Sequence, residues 1–293
     1  MTAAPADPTP ATTTIDAHQH FWVAGESEQP WRGPGHGALV RDFRPEDLAT
    51  MTVELGIDGT VLVESEDGPE ENDRLARWSR LEPVRGVVGW LPLRDPDAAR
   101  RERTRMDLPR LVGVRCLVGR EPLDWLAGDD VVELFTELAD AGLSWDVVPL
   151  DDVQCAQVVQ LAEQVPGLRI VVDHLARPPL DGAPAQPWRD NIARLADAPG
   201  VAIKLSVGLD VVSRWDWQPE QLDEVAGVVL EAFGPERTML ASNWPVSELG
   251  TDYRTLWRDQ VAVLERVVPD ADDRAEVLGG TATRWYDLGR WSR

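Results

Sequence analysis

Two short stretches of this chain gather residue types that polarise carbonyls, hold metals or move protons: Asp16-Ala-His18-Gln-His20 and Asp173-His174. Side chains at i, i+2 and i+4 of a strand point the same way, so Asp16, His18 and His20 share one face if this stretch is extended. Two imidazoles on one face can bind a divalent metal or donate hydrogen bonds to a substrate carbonyl. A lone histidine is more often a satisfied core residue. Here two of only four histidines fall on one short apolar stretch, which weakens that reading. His174 ends the run RIVVDH, just before Pro178 and Pro179, and so belongs at a strand end. Asp173, one residue earlier, is expected to face the other way and bond helix or loop groups. Arg115 lies inside the apolar run VGVRCLV, and an inward guanidinium needs a carboxylate or carbonyl partner. That partner is either an oxygen-rich substrate or a barrel acid such as Asp146.

The elements that must position these residues are legible as short β-branched runs alternating with amphipathic stretches. Strands are expected over 15–21, 60–64, 87–91, 112–118, 144–148, 169–174, 201–206 and 238–242. Helical periodicity covers 70–81, 131–141, 153–165, 188–198, 221–233 and 253–267, with Gly142 and Gly234 as stop signals. Eight apolar runs, most of them followed by a helix, imply a parallel sheet buried on both faces. The reading is an α/β fold, a distorted (β/α)8 TIM barrel forming a single domain over 15–293, after a disordered tail over 1–14. No Gly-rich phosphate loop follows the first strand, which argues against an open nucleotide-binding sheet. In a barrel, strand C-termini form the active-site mouth, so His20, His174, Asn243 and Glu64 all fall at the mouth. Trp22, Trp31, His36 and Trp244 belong to the mouth loops, where indole faces can wall a ring-shaped substrate.

Composition narrows the function. With 29 basic against 51 acidic residues, the formal charge is −22, which repels phosphate backbones and anionic headgroups. Nucleic acid and membrane are therefore excluded as partners, a small-molecule substrate is expected, and a homo-oligomer is left open. No apolar run reaches the roughly 18 residues of a membrane span, and the first residues lack a basic start and an apolar core, so a cytoplasmic location is expected. Cys116 and Cys155 are too few for a disulfide framework and match no zinc spacing; Cys116 reads as packing.

Together, His18-x-His20, DHLARPP, IKLS and SNWP resemble the amidohydrolase superfamily. More narrowly, they resemble its lactonase branch with fuconolactonase-like and pyrone-dicarboxylate lactonase-like enzymes. VLVES, VVGWLPL, GVRCLVG, LSWDVV and GGTATRWYDL extend the likeness from about Ile15 to Tyr286. The resemblance implies a hydrolase opening a small lactone, derived from a sugar acid or a ring-cleavage product. His18, His20, His174 and Asn243 would surround the scissile carbonyl. Arg115, Glu64, Asp146, Trp22 and Trp244 would bind the substrate. Several members of that branch work without metal, so no metal is expected to be required, although zinc could be held by His18, His20 and His174. Lys204, the only lysine, matches the K-L-S segment and is expected in a structural salt bridge.

The departure is SNWP where the family carries S-D-W-P. An amide has no proton equilibrium near neutrality, so Asn243 cannot be the general base. The chain then belongs to an S-N-[FW]-P subgroup using His174 or another carboxylate such as Glu64 or Asp146, or carries an engineered substitution, or is a silent small-molecule binder. A decarboxylase or other non-hydrolytic reaction on the same scaffold is the alternative chemistry.

Overall fold

The computed structural model describes residues 13–183 and 185–291. Eight parallel strands stand in chain order around one sheet: β1 (Ile15–Gln19), β2 (Gly59–Val63), β3 (Val84–Trp90), β4 (Leu111–Arg115), β5 (Ser144–Val147), β6 (Arg169–Val172), β7 (Val201–Leu205) and β8 (Thr238–Leu240). Helices α1 (Pro45–Leu55), α2 (Pro69–Trp78), α3 (Pro96–Arg105), α4 (Asp129–Asp140), α5 (Asp152–Gln164), α6 (Gln186–Ala196), α7 (Leu209–Val212), α8 (Gln221–Phe233) and α9 (Tyr253–Val267) form the outer layer. This is the distorted TIM barrel expected from the alternation of patterns. Of the expected tail, residues 1–12 lie outside the described residues, whereas Thr14 is held by a hydrogen bond from its backbone N–H to Asp58 Oδ2 (2.8 Å).

Local chemistry sets the helix ends. Pro45, Pro69 and Pro96 open α1, α2 and α3, where a missing N–H costs nothing. Asp95, Asp151 and Asp252 cap α3, α5 and α9 by accepting from backbone N–H groups of the first turn. Gly279 has a packing reason to be glycine: a Cβ there would stand 1.8 Å from the backbone oxygen of Thr13. The chain leading into β1 lies directly on the segment after α9.

Several strands end earlier than their apolar runs. β4 stops at Arg115 rather than at residue 118, and β8 at Leu240 rather than at 242. At β8 the reason lies in how the barrel closes. Beyond Leu240, Asn243 donates its backbone N–H to His18 O (2.9 Å), and His20 donates to Trp244 O (2.8 Å). Asp16 completes the seam, accepting from Ser242 N (2.9 Å), Ser242 Oγ (2.6 Å) and Tyr253 Oη (3.1 Å). A side chain thus replaces ladder bonds between the first and last strands.

Asp16 is fully buried, and burial lifts its pKa from 3.8 to about 6 despite these donors. A carboxyl whose folded pKa lies above its unfolded value stabilises the fold most at low pH, and the contribution is lost as pH rises through the folded value. Between about pH 4 and 6 the wild type should therefore lose on the order of 3 kcal/mol at this group. Denaturant unfolding across that window should show the slope in wild type and its loss in Asp16→Asn. Parallel curves for the two proteins would place the titration elsewhere.

Candidate functional site

The C-terminal ends of the strands surround a cavity of about 220 Å³. Its polar lining comes from His20, Ser65, Arg115, His174, Arg177 and Asn243. Its apolar lining comes from Leu117, Val118, Val148, Leu150, Leu209 and Val246, with Trp31. Among the described residues lining the cavity there is no carboxylate. Cys116 also lines it, but burial pushes its thiol up to about 12, so it stays protonated.

Beneath this cavity lies a buried polar cluster. His18, Asp173 and His174 bring one ligand atom each to within 4.8 Å of one another. His18 Nδ1 stands 3.2 Å from Asp173 Oδ1, and the His18 and His174 ring centroids are 4.6 Å apart. His20 is adjacent, its Nε2 3.1 Å from His18 Nε2. His20 Nδ1 faces Val63 O at 2.8 Å; a carbonyl only accepts, so that nitrogen carries the hydrogen and Nε2 keeps its lone pair. His174 Nδ1 is held by Ser206 Oγ at 2.8 Å. Burial lowers the pKa of all three imidazoles, His20 and His174 to about 3 and His18 well below its usual value. Neutral imidazoles and an ionised carboxylate are the donor set that a borderline cation such as zinc takes, and ring nitrogens fixed by carbonyl, hydroxyl or carboxylate partners are typical of such ligands. The cluster fits a divalent metal.

Asp173 departs from the expectation that it would face away from the site. β6 ends at Val172, and the chain then turns through four consecutive left-handed residues, His174 (φ 54°), Leu175 (54°), Ala176 (49°) and Arg177 (61°). Strand alternation no longer applies there, so neighbouring side chains reach the same pole. Non-glycine residues take this conformation at a cost, which the surrounding hydrogen bonds must sustain. Only Pro178-Pro179 announced the strand end in the sequence; nothing in residue type signals the turn.

Arg115 pairs with Glu64 (Nε to Oε1, 2.6 Å) and Asp173 (Nη1 to Oδ2, 3.0 Å), and donates to Glu64 O (3.0 Å). Asp146, the acid suggested for it, instead pairs with Lys204 (2.6 Å) and accepts from Tyr286 Oη (2.6 Å) and Ser144 Oγ (3.0 Å). Lys204 also reaches Asp173 Oδ1 (3.0 Å). Burial tends to raise the pKa of Asp173, but Lys204, His18 and Arg115 together hold it well below the usual carboxylate range. For Glu64 the balance runs the other way: burial raises it, and Arg115 offsets only part.

The structure brings His20, His174, Arg115 and Asn243 together on the cavity wall, with His18 directly behind them. Glu64 and Asp146 are fully buried in the ion-pair network. Trp22 and Trp244 pack away from the wall, donating to Leu39 O and Glu248 Oε1. Trp31 takes the wall position instead, anchored by its Nε1 donating to Ser65 O (2.6 Å). Trp31 was among the mouth-loop residues named from the sequence; Ser65 and Arg177 were overlooked, although Arg177 stands inside the quoted DHLARPP motif.

Comparison with known proteins agrees with this geometry. The family model described as amidohydrolase matches residues 15–288. An L-fucono-1,5-lactonase from Burkholderia ambifaria is 32% identical over 291 residues, covering 95% of this chain and 97% of the relative. An L-fucono-1,5-lactonase from Burkholderia multivorans is 30% identical, covering 94% and 96%. A crystal structure of an amidohydrolase from Burkholderia multivorans with bound zinc superposes with a TM-score of 0.85 at 28% identity, covering 94% of this chain and 99% of that one. The expectation of metal-independence is thereby overturned. It was drawn from members of the branch that work without metal, and the His18–Asp173–His174 cluster together with the zinc-bound relative argues against it. The carboxylate comes from β6, where the sequence did not place it. Among the described residues no helix is long and apolar enough to cross a membrane.

Arg115 is a structural partner of two buried acids, so truncating it is not a mild change. Arg115→Met should cost about 3–5 kcal/mol, the usual penalty for leaving a buried charge without its partner. Chemical denaturation of the variant, compared with Arg115→Lys as a partial replacement, measures this. A Met variant as stable as wild type would mean that Glu64 and Asp173 do not depend on the guanidinium.

Proposed function

The chain belongs to the amidohydrolase family, and on that premise we propose that it is a hydrolase that opens a small lactone by water attack on the ring carbonyl. The observation that carries the reading is the His18–Asp173–His174 cluster set directly below a small, half-apolar cavity. The relatives named as lactonases support the substrate class. His18, Asp173 and His174 would hold a divalent cation such as zinc, which supplies Lewis-acid polarisation of a carbonyl oxygen.

The remaining steps fall to the chain's own residues. The ring packs against Leu117, Val118, Val148 and Leu150, which exclude bulk water from one face. Asn243 Nδ2 donates to Val207 O (2.8 Å), which fixes the amide and leaves the buried Oδ1 without a partner. That oxygen accepts a hydrogen from the attacking water and aims its lone pair. His20, neutral and with Nε2 unprotonated, takes the water's proton as the C–O bond forms. When the ring C–O bond breaks, the same proton passes to the leaving oxygen, giving a hydroxy acid. With no carboxylate on the wall, an imidazole is the base the cavity offers. Arg115, on the cavity wall, holds Asp173 in place.

The Val207 carbonyl also bears on why position 243 is an amide. A carboxylate there would set an anionic oxygen against a carbonyl oxygen at the position now 2.8 Å away. The site is thus built around asparagine rather than stripped of aspartate.

Two measurements test the reading. Acid release from L-fucono-1,5-lactone and related lactones should require metal: chelation should abolish it and zinc restore it. His174→Ala should lower bound metal per chain by elemental analysis and activity by about 10³-fold or more. No acid release from any lactone, with zinc present, would end the proposal. Asn243→Asp should reduce kcat/KM by about tenfold or more rather than increase it; a gain would mean that aspartate is the residue the site was made for.

A further inference from the structure

The pole of the barrel opposite the catalytic mouth carries two hollows of opposite charge. The larger, of about 760 Å³, lies where the chain enters β4 and β5. Four arginines, Arg80, Arg103, Arg110 and Arg290, line it against one acid, Asp107, with Met106, Leu108, Leu111 and Leu143 as its main apolar lining. Among the described residues, Arg80 and Arg103 have neither a hydrogen bond nor an ion pair. Arg110 donates through Nη1 to the Val84 carbonyl and has no acid partner among them. In a chain with 51 acids and a net charge of −22, unopposed cations gathered in one concavity are the exception.

The second hollow, of about 550 Å³, lies where the chain enters β8, beside the segment after α9. Its charges are reversed: Glu236, Asp272, Asp273 and Glu276 stand against Arg237, with Phe233 and Pro235 as apolar lining. Arg237 is turned onto the carbonyls of Ala196, Ala198 and Val201, and Glu276 is paired with Arg284. Glu236, Asp272 and Asp273 are exposed, and among the described residues their carboxylates have no partner.

Both hollows open at the strand N-termini, and β4 and β8 are half a turn apart in the eight-strand order. They therefore occupy opposite sides of one pole. A two-fold axis perpendicular to the barrel, along the line from β2 to β6, sets the β4 side of one copy against the β8 side of another. The same operation sets the β8 side of the first against the β4 side of the second. Each hollow then meets its opposite, and the contact closes on itself as an isologous interface must. The spacing is fixed, because the segment from Glu276 to Arg290 joins the hollows and buries Ala282, Tyr286 and Leu288 in an apolar cluster of the barrel. A small anion would answer the arginines and leave the acids unanswered; a second copy answers both.

We propose that this pole is an interaction surface for a second copy of the chain, docked base to base with each basic hollow on its partner's acidic one. Both catalytic mouths then face outward. Single exposed ion pairs contribute little, whereas opposed clusters of charge act together and are weakened by salt.

Sedimentation velocity of the full chain at about 100 µM should show twice the chain mass in low salt and a shift towards monomer in about 0.5 M sodium chloride. Arg80→Glu with Arg103→Glu, and separately Glu236→Arg with Asp272→Arg, should each weaken the dimer by about tenfold or more, since like charges then meet at both contacts. Mixed in equal amounts, the two variants should recover the dimer. The reversed hollows oppose each other in one contact and the native hollows in the other. If either variant does not fold, Arg103→Gln and Asp272→Asn remove charge without reversing it and should each weaken the dimer. A wild type that stays monomeric in low salt, a dimer untouched by the variants, growth into larger species, or a mixture that stays monomeric would each overturn the proposal. A monomer that binds citrate in calorimetry, and loses it in Arg80→Glu/Arg103→Glu, would assign the basic hollow to a small anion instead.

Discussion

Groups from three other strands converge on one carboxylate, that of Asp173: His18 from β1, Arg115 at the end of β4 and Lys204 from β7. Asp173 itself follows directly on β6. Placing an ionised carboxylate at zero exposure is prohibitive unless its charge is compensated and its lone pairs are filled. Here two cations and an imidazole compensate the charge through three contacts, which leaves a lone pair on Oδ2 for a further partner. Arg115 extends the network to Glu64, and Lys204 extends it to Asp146 and Tyr286, so a connected polar lattice shares the barrel with an apolar cluster that includes Val61, Val63, Val88, Val171, Ala202 and Met239. The metal-competent cluster is the upper face of that lattice. Its histidines are neutral because they are buried, and Asp173 is ionised because cations surround it.

The fold was readable because its signal is distributed. Each apolar run can be misplaced by several residues without changing the count of eight, and the helices over 221–233 and 253–267 were read to the residue. The site was readable where side chains two places apart stayed together, as with His18 in β1 and His20 just beyond it. It was unreadable where the backbone left the regular regions. Asp173 was assigned to the wrong side because the left-handed turn at 174–177 puts consecutive side chains at the same pole, and no residue type demands such a turn. Trp22, Trp31 and Trp244 were plausible walls from their loop positions, but Trp22 and Trp244 have their indole N–H committed inside the loop packing, and of the three it is Trp31, twelve positions beyond β1, that reaches the cavity. Tertiary closure decided these cases, and closure leaves little trace in local sequence.

The metal expectation failed for a related reason. The sequence turned Asp173 away from the histidines, whereas the structure sets its carboxylate beside His18 and His174. Donor sets are properties of a place in space, and a substitution at one strand end says little until the neighbouring ends are known.

The seam between β1 and β8 has a consequence in time. Asp16 and Ser242, whose contact closes the barrel, are separated by 226 positions in the chain. A growing polypeptide emerges from the ribosome from its N-terminus, so β1 waits with unpaired ladder groups until nearly the last strand is made. His18 and Asp173 can meet before that, but the backbone bond that carries Asn243 onto the cavity wall cannot. A fragment that ends between residue 174 and β8 therefore holds all three residues of the metal cluster and no finished pocket. The cluster and the cavity above it are completed by different events of folding.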